Sequence, residues 1–170
     1  PVAIYGHGYT GNRTEFLGFA GHLAKFGVAS VCIDSYGHGL QLDPADMDIV
    51  KGALGEGFGP FAEAVIEVRA RDLDNDGGEN SGGDFWTADT FHTRDVVRQS
   101  VLDWIQLIRV FHAFGTYDMG DLNGDGESEK AGDFNADGTI DVGGPVTNTD
   151  GSHNPGSDFF AWGQSLGGML

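Results

Sequence analysis

The sequence is poor in basic residues and in cysteine, and it contains no long apolar run. Nine Lys and Arg residues stand against 26 Asp and Glu residues, which gives a formal net charge of −17. Nucleic-acid binding depends on clustered Lys and Arg side chains, so we expect no nucleic-acid partner. The single cysteine, Cys32, excludes an intrachain disulfide. No apolar run approaches the roughly 20 residues of a membrane-spanning helix, so we expect no transmembrane segment.

Aspartate and glycine are the residues in excess. The chain holds 19 Asp against 7 Glu, together with 29 glycines. Asp favours turns and oxygen-rich cation sites, whereas Glu favours helices, so this imbalance points to loops and to metal binding. The apolar fraction of 39% is typical of a globular protein, and 170 residues are enough for one domain with a core of its own.

Three apolar runs predict buried β-strands. They cover residues 2–5, 28–33 and 159–162, and a glycine-containing turn follows each of them. Short continuous apolar runs of this kind are typical of parallel strands that are covered on both faces. Cys32 lies in the second run, where we expect a buried and inert thiol. The runs therefore predict an α/β fold.

Helical patterns occupy the segments between the predicted strands. Asn12 or Thr14 can cap a first helix that ends at Gly27. A further helix is predicted over 60–68. Thr93 is the predicted N-cap of a long helix whose apolar side chains recur at a period near 3.6 residues. The first two strands and the helix between them form a βαβ unit, whose crossover we expect to be right-handed.

Ser165 lies at the centre of a Gly-x-Ser-x-Gly sequence that directly follows the third predicted strand. The sequence reads Gly163-Gln164-Ser165-Leu166-Gly167. This is the form of a nucleophile elbow, a sharp strand-to-helix turn that exposes a serine hydroxyl. The glycines flank the serine because neighbouring backbone approaches too closely for a Cβ. Because glycine is abundant in this chain, the pattern alone could arise by chance, and the predicted strand before it is what supports the interpretation as an elbow.

The turns after the three predicted strands carry a resemblance to a known family. They are Gly6-His7-Gly8-Tyr9, Asp34 to Gly39, and Gly163 to Gly168, and the segment Thr90 to Gln99 adds to the match. In these features the chain resembles the α/β-hydrolase family, and in particular its bacterial lipases and esterases. The resemblance implies a parallel-sheet, three-layer αβα core in which the first strand lies between the second and the third.

The resemblance also implies a domain organisation. We expect residues 1–170 to form a single incomplete α/β-hydrolase domain from a longer protein, because the chain begins at Pro1 and lacks an initiator Met. The family framework accounts for the predicted strands and their turns. Acidic segments at about 40–90 and 115–157 lie outside it, and we interpret them as insertions within the domain.

Within this family, Ser165 would be the nucleophile that attacks an ester carbonyl. The backbone N–H groups of Leu166 and Tyr9 would bind the oxyanion that forms in the attack. His7 and Gly8 belong to the loop that presents Tyr9, just as Gly163, Gln164 and Gly167 belong to the turn that presents Ser165.

The histidines do not complete a catalytic triad. The family places its acid and its histidine after the serine, whereas all six histidines of this sequence precede Ser165. We therefore expect the acid and the base to lie beyond Leu170. His7 and His38 adjoin glycine turns, and we expect loop hydrogen bonds rather than catalysis from both.

Three acidic loops repeat the pattern Asp-x-Asp/Asn-x-Asp-Gly. Alternating oxygen side chains before a glycine can surround one hard cation, as at the start of an EF-hand loop. Position twelve, where an EF-hand has Glu, is Gly83, Gly132 or Gly144 here, so the loops are more similar to the calcium repeats of dockerin or thrombospondin type-3 modules. The candidate Ca²⁺ ligands are Asp72, Asp74, Asp76, Asp121, Asn123, Asp125, Asp133, Asn135, Asp137 and Asp141. The alternative is a solvated acidic loop without a specific ion.

Together these features favour a calcium-stabilised serine hydrolase that acts on carboxylic esters, as a lipase or carboxylesterase does. We expect an ester or lipid substrate, no organic cofactor, and a place outside the cell or on the bacterial surface, where calcium is plentiful. Two alternatives stay open. One is another hydrolase-fold enzyme, such as a peptidase or an acyltransferase, and the other is a non-catalytic calcium-binding surface module. The sequence indicates no oligomeric state.

Overall fold

A computed structural model of the chain describes residues 1–54, 68–121 and 124–170. Its strands are β1 (Val2–Gly6), β2 (Ala29–Val31) and β3 (Phe159–Gly163), and its helices are α1 (Leu17–Ala24), α2 (Pro44–Leu54) and α3 (Thr90–His112). Short 3-10 segments cover Arg13–Phe16, Pro155–Ser157 and Ser165–Gly168. The helix predicted over 60–68 falls, except for its last residue, outside the described residues, and Val68 itself is not helical.

The three strands form one sheet in the order β2-β1-β3. β1 and β2 are parallel, with Val2 opposite Ala29. On the other side of β1, the Val2 N–H donates to the Asp158 carbonyl and the Gln164 N–H donates to the Gly6 carbonyl, so β3 runs in the same direction. The parallel sheet confirms the α/β class and the central position of the first strand. The three-layer hydrolase core stays a prediction.

The burial of the strands follows their place in the sheet. All five residues of the central strand β1 are buried, as its apolar sequence predicts. β2 is shorter than the predicted run of 28–33, although Cys32 just after it is buried as expected. Burial, with the nearby carboxylate of Asp34, raises the pKa of the Cys32 thiol to about 12. The prediction that β3 is buried is wrong, because it lies at an edge of the described sheet and exposes Phe160 and Trp162.

The first predicted helix is present, with a change at its start. The side chain of Asn12 accepts a hydrogen bond from the Thr14 N–H, which confirms Asn12 as the cap. The first turn after this cap is a 3-10 helix, and α1 begins only at Leu17. Gly27 has φ of +71° and donates its N–H to the Ala24 carbonyl, so a glycine in the left-handed region ends the helix as predicted.

The other two helices differ from the prediction because capping aspartates set their starts. α3 begins at Thr90, since the Asp89 carboxylate accepts hydrogen bonds from the N–H groups of Phe91 and His92. Thr93 therefore lies inside α3, and its predicted role as the N-cap is wrong. α2 was not predicted. Its first N–H groups are satisfied by Asp43, which accepts hydrogen bonds from the backbone of Ala45 and Asp46.

The chain divides into two compact units. The first contains Pro1–Ile4, Phe19–Val31 and Leu102–Trp162, and the second contains Tyr5–Gly18, Cys32–Val101 and Gly163–Leu170. In the first unit, ring contacts join Phe19 to Trp162 and Phe111 to Phe114 and Phe159. In the second unit, the buried residues Phe85, Val96 and Leu166 form one apolar cluster. The interpretation of a single domain with insertions stays a prediction.

Within the described ranges, no helix combines the length and the apolar character that crossing a bilayer requires.

Candidate active site

Ser165 stands at a sharp turn between β3 and the 3-10 segment that begins at Ser165. Its φ is +52°, a left-handed conformation that residues other than glycine adopt in only a few per cent of cases. Such a conformation persists only where the surrounding structure enforces it, and it is concentrated at functional sites. The hydrogen bond from the Gln164 N–H to the Gly6 carbonyl, 3.1 Å long, holds the residue before the serine against β1.

Three glycines enforce this turn through close contact of backbone with backbone. A Cβ on Gly167 would lie 2.1 Å from both the carbonyl carbon and the carbonyl oxygen of Gly6. A Cβ on Gly163 would lie 2.4 Å from the same two atoms of Gly167, and a Cβ on Gly6 would lie 2.6 Å from the Gly167 oxygen. No side chain fits at any of the three positions. The glycines of the predicted elbow are therefore required by packing in this structure.

The loop after β1 lies beside the serine. A Cβ placed on Gly8 would be 3.9 Å from the Ser165 Cβ and 3.8 Å from the Gln164 carbonyl oxygen. In the part of the chain that the structure describes, neither the Tyr9 N–H nor the Leu166 N–H donates a hydrogen bond to another residue. Among the described residues, these two backbone donors are therefore not used by the protein itself.

Tyr9 and Thr10 are the central residues of a β-turn. The Gly11 N–H donates to the Gly8 carbonyl at 3.0 Å and closes the turn. Thr10 has φ of +62° whereas Tyr9 has a negative φ, which is the pattern of a type II turn. That turn normally has Gly or Asn at its third position, so a β-branched residue there is strained. The Thr10 hydroxyl donates to the Tyr9 carbonyl at 2.7 Å, which holds the central peptide group.

His7 holds this loop in place through hydrogen bonds, as predicted. Its ring is fully buried, and its Nε2 accepts a hydrogen bond from the Ser35 N–H at 2.9 Å. Since Nε2 accepts, Nδ1 carries the proton in this hydrogen-bond network and donates to the Gly8 carbonyl at 2.8 Å. Both ring nitrogens are therefore occupied, and His7 holds the loop instead of accepting a proton from Ser165.

Asp34 is a buried residue of the site to which the sequence analysis gave no role. Its carboxylate accepts hydrogen bonds from the backbone N–H and from the guanidinium of Arg13, at the start of the 3-10 segment that follows the turn at Tyr9. Its Oδ1 atom also lies 4.0 Å from His7 Nε2. The available signal was an acidic residue directly after a predicted strand. Asp34 therefore ties the chain after β2 to the 3-10 segment that follows the loop after β1.

His38 is buried without a full set of partners. Its Nδ1 is 3.2 Å from the Tyr36 carbonyl, and its Nε2 has no hydrogen-bond partner among the described residues. The ring packs against His7 and Phe85, with centroid distances of 5.0 and 5.1 Å. Burial lowers the pKa of His38 to about 4. The ring is neutral at pH 7, and so low a pKa makes it a weak proton acceptor.

Across 1–54, 68–121 and 124–170, no hydrogen bond joins the Ser165 hydroxyl to a histidine. The five residues after Ser165 contain neither a histidine nor an acid.

In each acidic loop, the first aspartate accepts hydrogen bonds from backbone N–H groups later in the loop. The carboxylate of Asp72 accepts hydrogen bonds from the N–H groups of the fifth and sixth residues of its loop, Asp76 and Gly77. Asp133 does the same with Asp137 and Gly138. In the remaining loop, the carboxylate of Asp121 accepts from Gly124 and Gly126. The described backbone of each loop therefore turns back toward its first aspartate.

Two of the three loops bring carboxylates together. Oxygen atoms of Asp72, Asp74 and Asp76 lie within 4.8 Å of one another, and so do those of Asp121, Asp125 and Glu129. Glu129 was missed because it lies after the repeated hexapeptide, although it is the ninth residue of its loop. Asn123 lies outside the described residues.

The third loop does not form such a group of acidic side chains among the residues described here. Its Asp141 carboxylate instead accepts a hydrogen bond from the Phe134 N–H at 3.0 Å. The Asn135 side chain donates to Asp137 at 3.1 Å. Hydrogen bonds from the Thr139 backbone and from Asn135 lower the pKa of the exposed Asp137 carboxyl.

Comparisons with protein-family models, with curated proteins and with solved structures find no match to this chain.

Proposed function

We propose that this chain carries the nucleophile and the oxyanion hole of a carboxylic ester hydrolase of the α/β-hydrolase type, a lipase or a carboxylesterase. The observation that carries the proposal is the left-handed Ser165 at the end of β3, held by backbone contacts at Gly163 and Gly167. Residues in such conformations are concentrated at active sites because the strain orients a reactive group.

In the proposed reaction, the Ser165 oxygen attacks the carbonyl carbon of the ester. The carbonyl oxygen becomes negatively charged, and the N–H groups of Tyr9 and Leu166 donate hydrogen bonds to it. Collapse of this intermediate expels the alcohol and leaves an acyl group on Ser165, which water then removes. Loss of one such donor typically costs ~3 kcal/mol of transition-state stabilisation, so the loop geometry matters as much as the hydroxyl.

The proton acceptor in this proposal comes from outside residues 1–170. A serine hydroxyl needs a base before it can attack. His7 has both ring nitrogens engaged, and His38 is buried with a lowered pKa. The order of the family would place the acid and the histidine after the serine.

Calcium is the proposed structural cofactor. Three carboxylates held within 4.8 Å of one another repel, and a divalent cation offsets that repulsion. Carboxylate oxygens at alternate positions suit Ca²⁺. Asp72, Asp74 and Asp76 would hold one ion, and Asp121, Asp125 and Glu129 a second. Loops of this kind favour calcium-rich surroundings, which supports the proposed location outside the cell or on its surface.

The decisive experiment is labelling of the full-length protein with a fluorophosphonate probe. We expect the wild type and a Ser152→Ala control, in which an exposed serine is removed, to be labelled, whereas Ser165→Ala is not. Persistent labelling of Ser165→Ala would refute the nucleophile assignment. Labelling without turnover of any p-nitrophenyl ester would favour a peptidase or an acyltransferase, and a folded protein without labelling would favour a non-catalytic calcium-binding module.

A further inference from the structure

The Tyr9 side chain connects the loop after β1 to a segment 74 residues further along the chain. Its hydroxyl donates a hydrogen bond to the Gly83 carbonyl at 3.1 Å. Its ring also contacts His38 and Trp86, with centroid distances of 6.2 and 6.3 Å. Because 38% of the Tyr9 surface is exposed, burial alone does not fix this side chain, and the hydrogen bond defines its position.

The Gly83 carbonyl that accepts this hydrogen bond is held in place by the residue before it, Gly82. Gly82 donates its N–H to the Gly37 carbonyl at 2.8 Å. Its φ is +75°, and a Cβ at this position would lie 2.3 Å from His38 Nε2. Gly82 is thus a position where only glycine allows the chain to pass against the buried His38 ring.

The acceptor is also held on its C-terminal side. The Phe85 N–H donates to the Gly82 carbonyl at 3.1 Å and closes a turn in which Gly83 is the second residue. Phe85 is fully buried, and the Asp84 carboxylate accepts a hydrogen bond from the Leu73 N–H at 3.0 Å. The position of the Gly83 carbonyl, which accepts the hydrogen bond from Tyr9, is therefore fixed from both sides.

Tyr9, whose hydroxyl donates this hydrogen bond, lies by contrast in a strained β-turn. Thr10 has a left-handed φ of +62°, which a β-branched residue disfavours. Relief of that strain changes ψ of Tyr9 and φ of Thr10, and a turn that changes shape in this way displaces Tyr9 together with its N–H. His7 holds the Gly8 carbonyl, which belongs to the same peptide group as the Tyr9 N–H. The Tyr9 hydroxyl supplies a second attachment on the side chain of the donor residue itself.

We propose that Tyr9 is a positioning residue whose hydroxyl, bound to the Gly83 carbonyl, keeps its own backbone N–H directed at the oxyanion. The inference rests on the proposed function, since it concerns the oxyanion hole of that reaction. It assigns the turn at Gly82–Phe85 a role in the chemistry at Ser165 and makes that turn a support of the oxyanion hole.

Tyr9→Phe tests the inference because it removes the hydroxyl and keeps the ring contacts. In the full-length protein with a p-nitrophenyl ester, we expect kcat to fall between about 10-fold and 100-fold while KM stays within about 2-fold, because a misplaced donor weakens transition-state binding alone. Tyr117→Phe, at a tyrosine that is 66% exposed, is the matched control and should retain the wild-type kcat.

A second substitution separates positioning from general stability. Thr10→Gly relieves the strain at the left-handed position, since glycine adopts positive φ without steric cost. The double variant Tyr9→Phe/Thr10→Gly should therefore recover at least about 3-fold of the kcat that Tyr9→Phe loses.

The results distinguish this inference from the proposed function. An unchanged kcat in Tyr9→Phe, or a loss that Thr10→Gly does not reduce, overturns the positioning role even though Ser165-dependent labelling persists. Labelling that does not depend on Ser165 overturns the proposed function and the positioning role together.

Discussion

The substitution Gly167→Ala tests the packing that holds Ser165. The Gly167 backbone is not in the left-handed region, so alanine brings no torsional penalty and the effect is purely steric. The new Cβ would lie 2.1 Å from two atoms of Gly6, where ordinary carbon contacts need about 3.5–4.0 Å. The turn and β1 must therefore separate by more than an ångström, roughly the difference between these distances.

The expected cost follows from two terms and one offset. Overpacking of a fixed site costs about 1–3 kcal/mol. The separation also breaks the hydrogen bond from the Gln164 N–H to the Gly6 carbonyl, worth about 1 kcal/mol net. Alanine is also more favourable than glycine within a helical segment by about 0.5–1 kcal/mol, which offsets part of this cost. We therefore expect a net loss of about 1–3.5 kcal/mol, centred near 2 kcal/mol, in the free energy of unfolding.

Gly168→Ala is the matched control, one residue further along the same 3-10 segment. The nearest atom to its Cβ would be the Gly163 carbonyl oxygen at 3.2 Å, which needs a shift of only a few tenths of an ångström. Urea denaturation of both variants measures the difference, and Gly168→Ala should stay within about 1 kcal/mol of the wild type. Stabilities of the two variants that agree within about 0.5 kcal/mol would refute the steric argument.

Two other properties can be measured in solution. Removal of calcium with a chelator should lower the melting temperature of the full-length protein, because the carboxylates around Asp72 and Asp121 then repel one another without a cation between them. An unchanged melting temperature, with no calcium found by metal analysis, would contradict the calcium sites. The pKa of His38 is about 4 in the folded protein against an ordinary 6.5, so the unfolded chain binds the proton at a higher pH than the folded chain does. The contribution of neutral His38 to the free energy of unfolding should therefore be complete above about pH 6.5 and fall as the pH decreases toward 4. His38→Phe should show a smaller loss between pH 7 and pH 5 in urea denaturation, and an equal loss would assign the effect to other groups.

The sequence predicted the framework of the site because the relevant constraints are local. A continuous apolar run identifies β1 without knowledge of its neighbours. The glycines around Ser165 are required by backbone contacts that the Gly-x-Ser-x-Gly spacing itself encodes. The order of the strands came from the family resemblance, and the sheet confirms it.

The errors arise where local signals compete or give no pattern. Asp89 and Thr93 are both good capping residues, and only the hydrogen bonds of the folded chain show that Asp89 begins α3. α2 has no apolar stripe to reveal it. Its Ile49 is 67% exposed, and the helix is defined by the cap at Asp43 followed by Pro44.

Contacts between distant residues were beyond the reach of the sequence patterns. The exposure of β3 depends on how many strands flank it, which an apolar run does not reveal. The ion pair of Asp34 with Arg13 joins side chains 21 residues apart. The hydrogen bond from Tyr9 to Gly83 spans 74 residues and involves a backbone carbonyl, which carries no signature in the sequence.

The order of strands in the sheet has a consequence for how the protein folds. β1 meets β2 close along the chain, where Val2 pairs with Ala29, but the bond from Val2 to Asp158 closes a loop about six times longer. Loop closure at that length costs roughly 1.5 kcal/mol more in chain entropy. Contacts between such distant residues form slowly. During synthesis the βαβ unit can therefore form long before the Ser165 turn exists, and Ser165 gains its position only when the last strand joins the sheet.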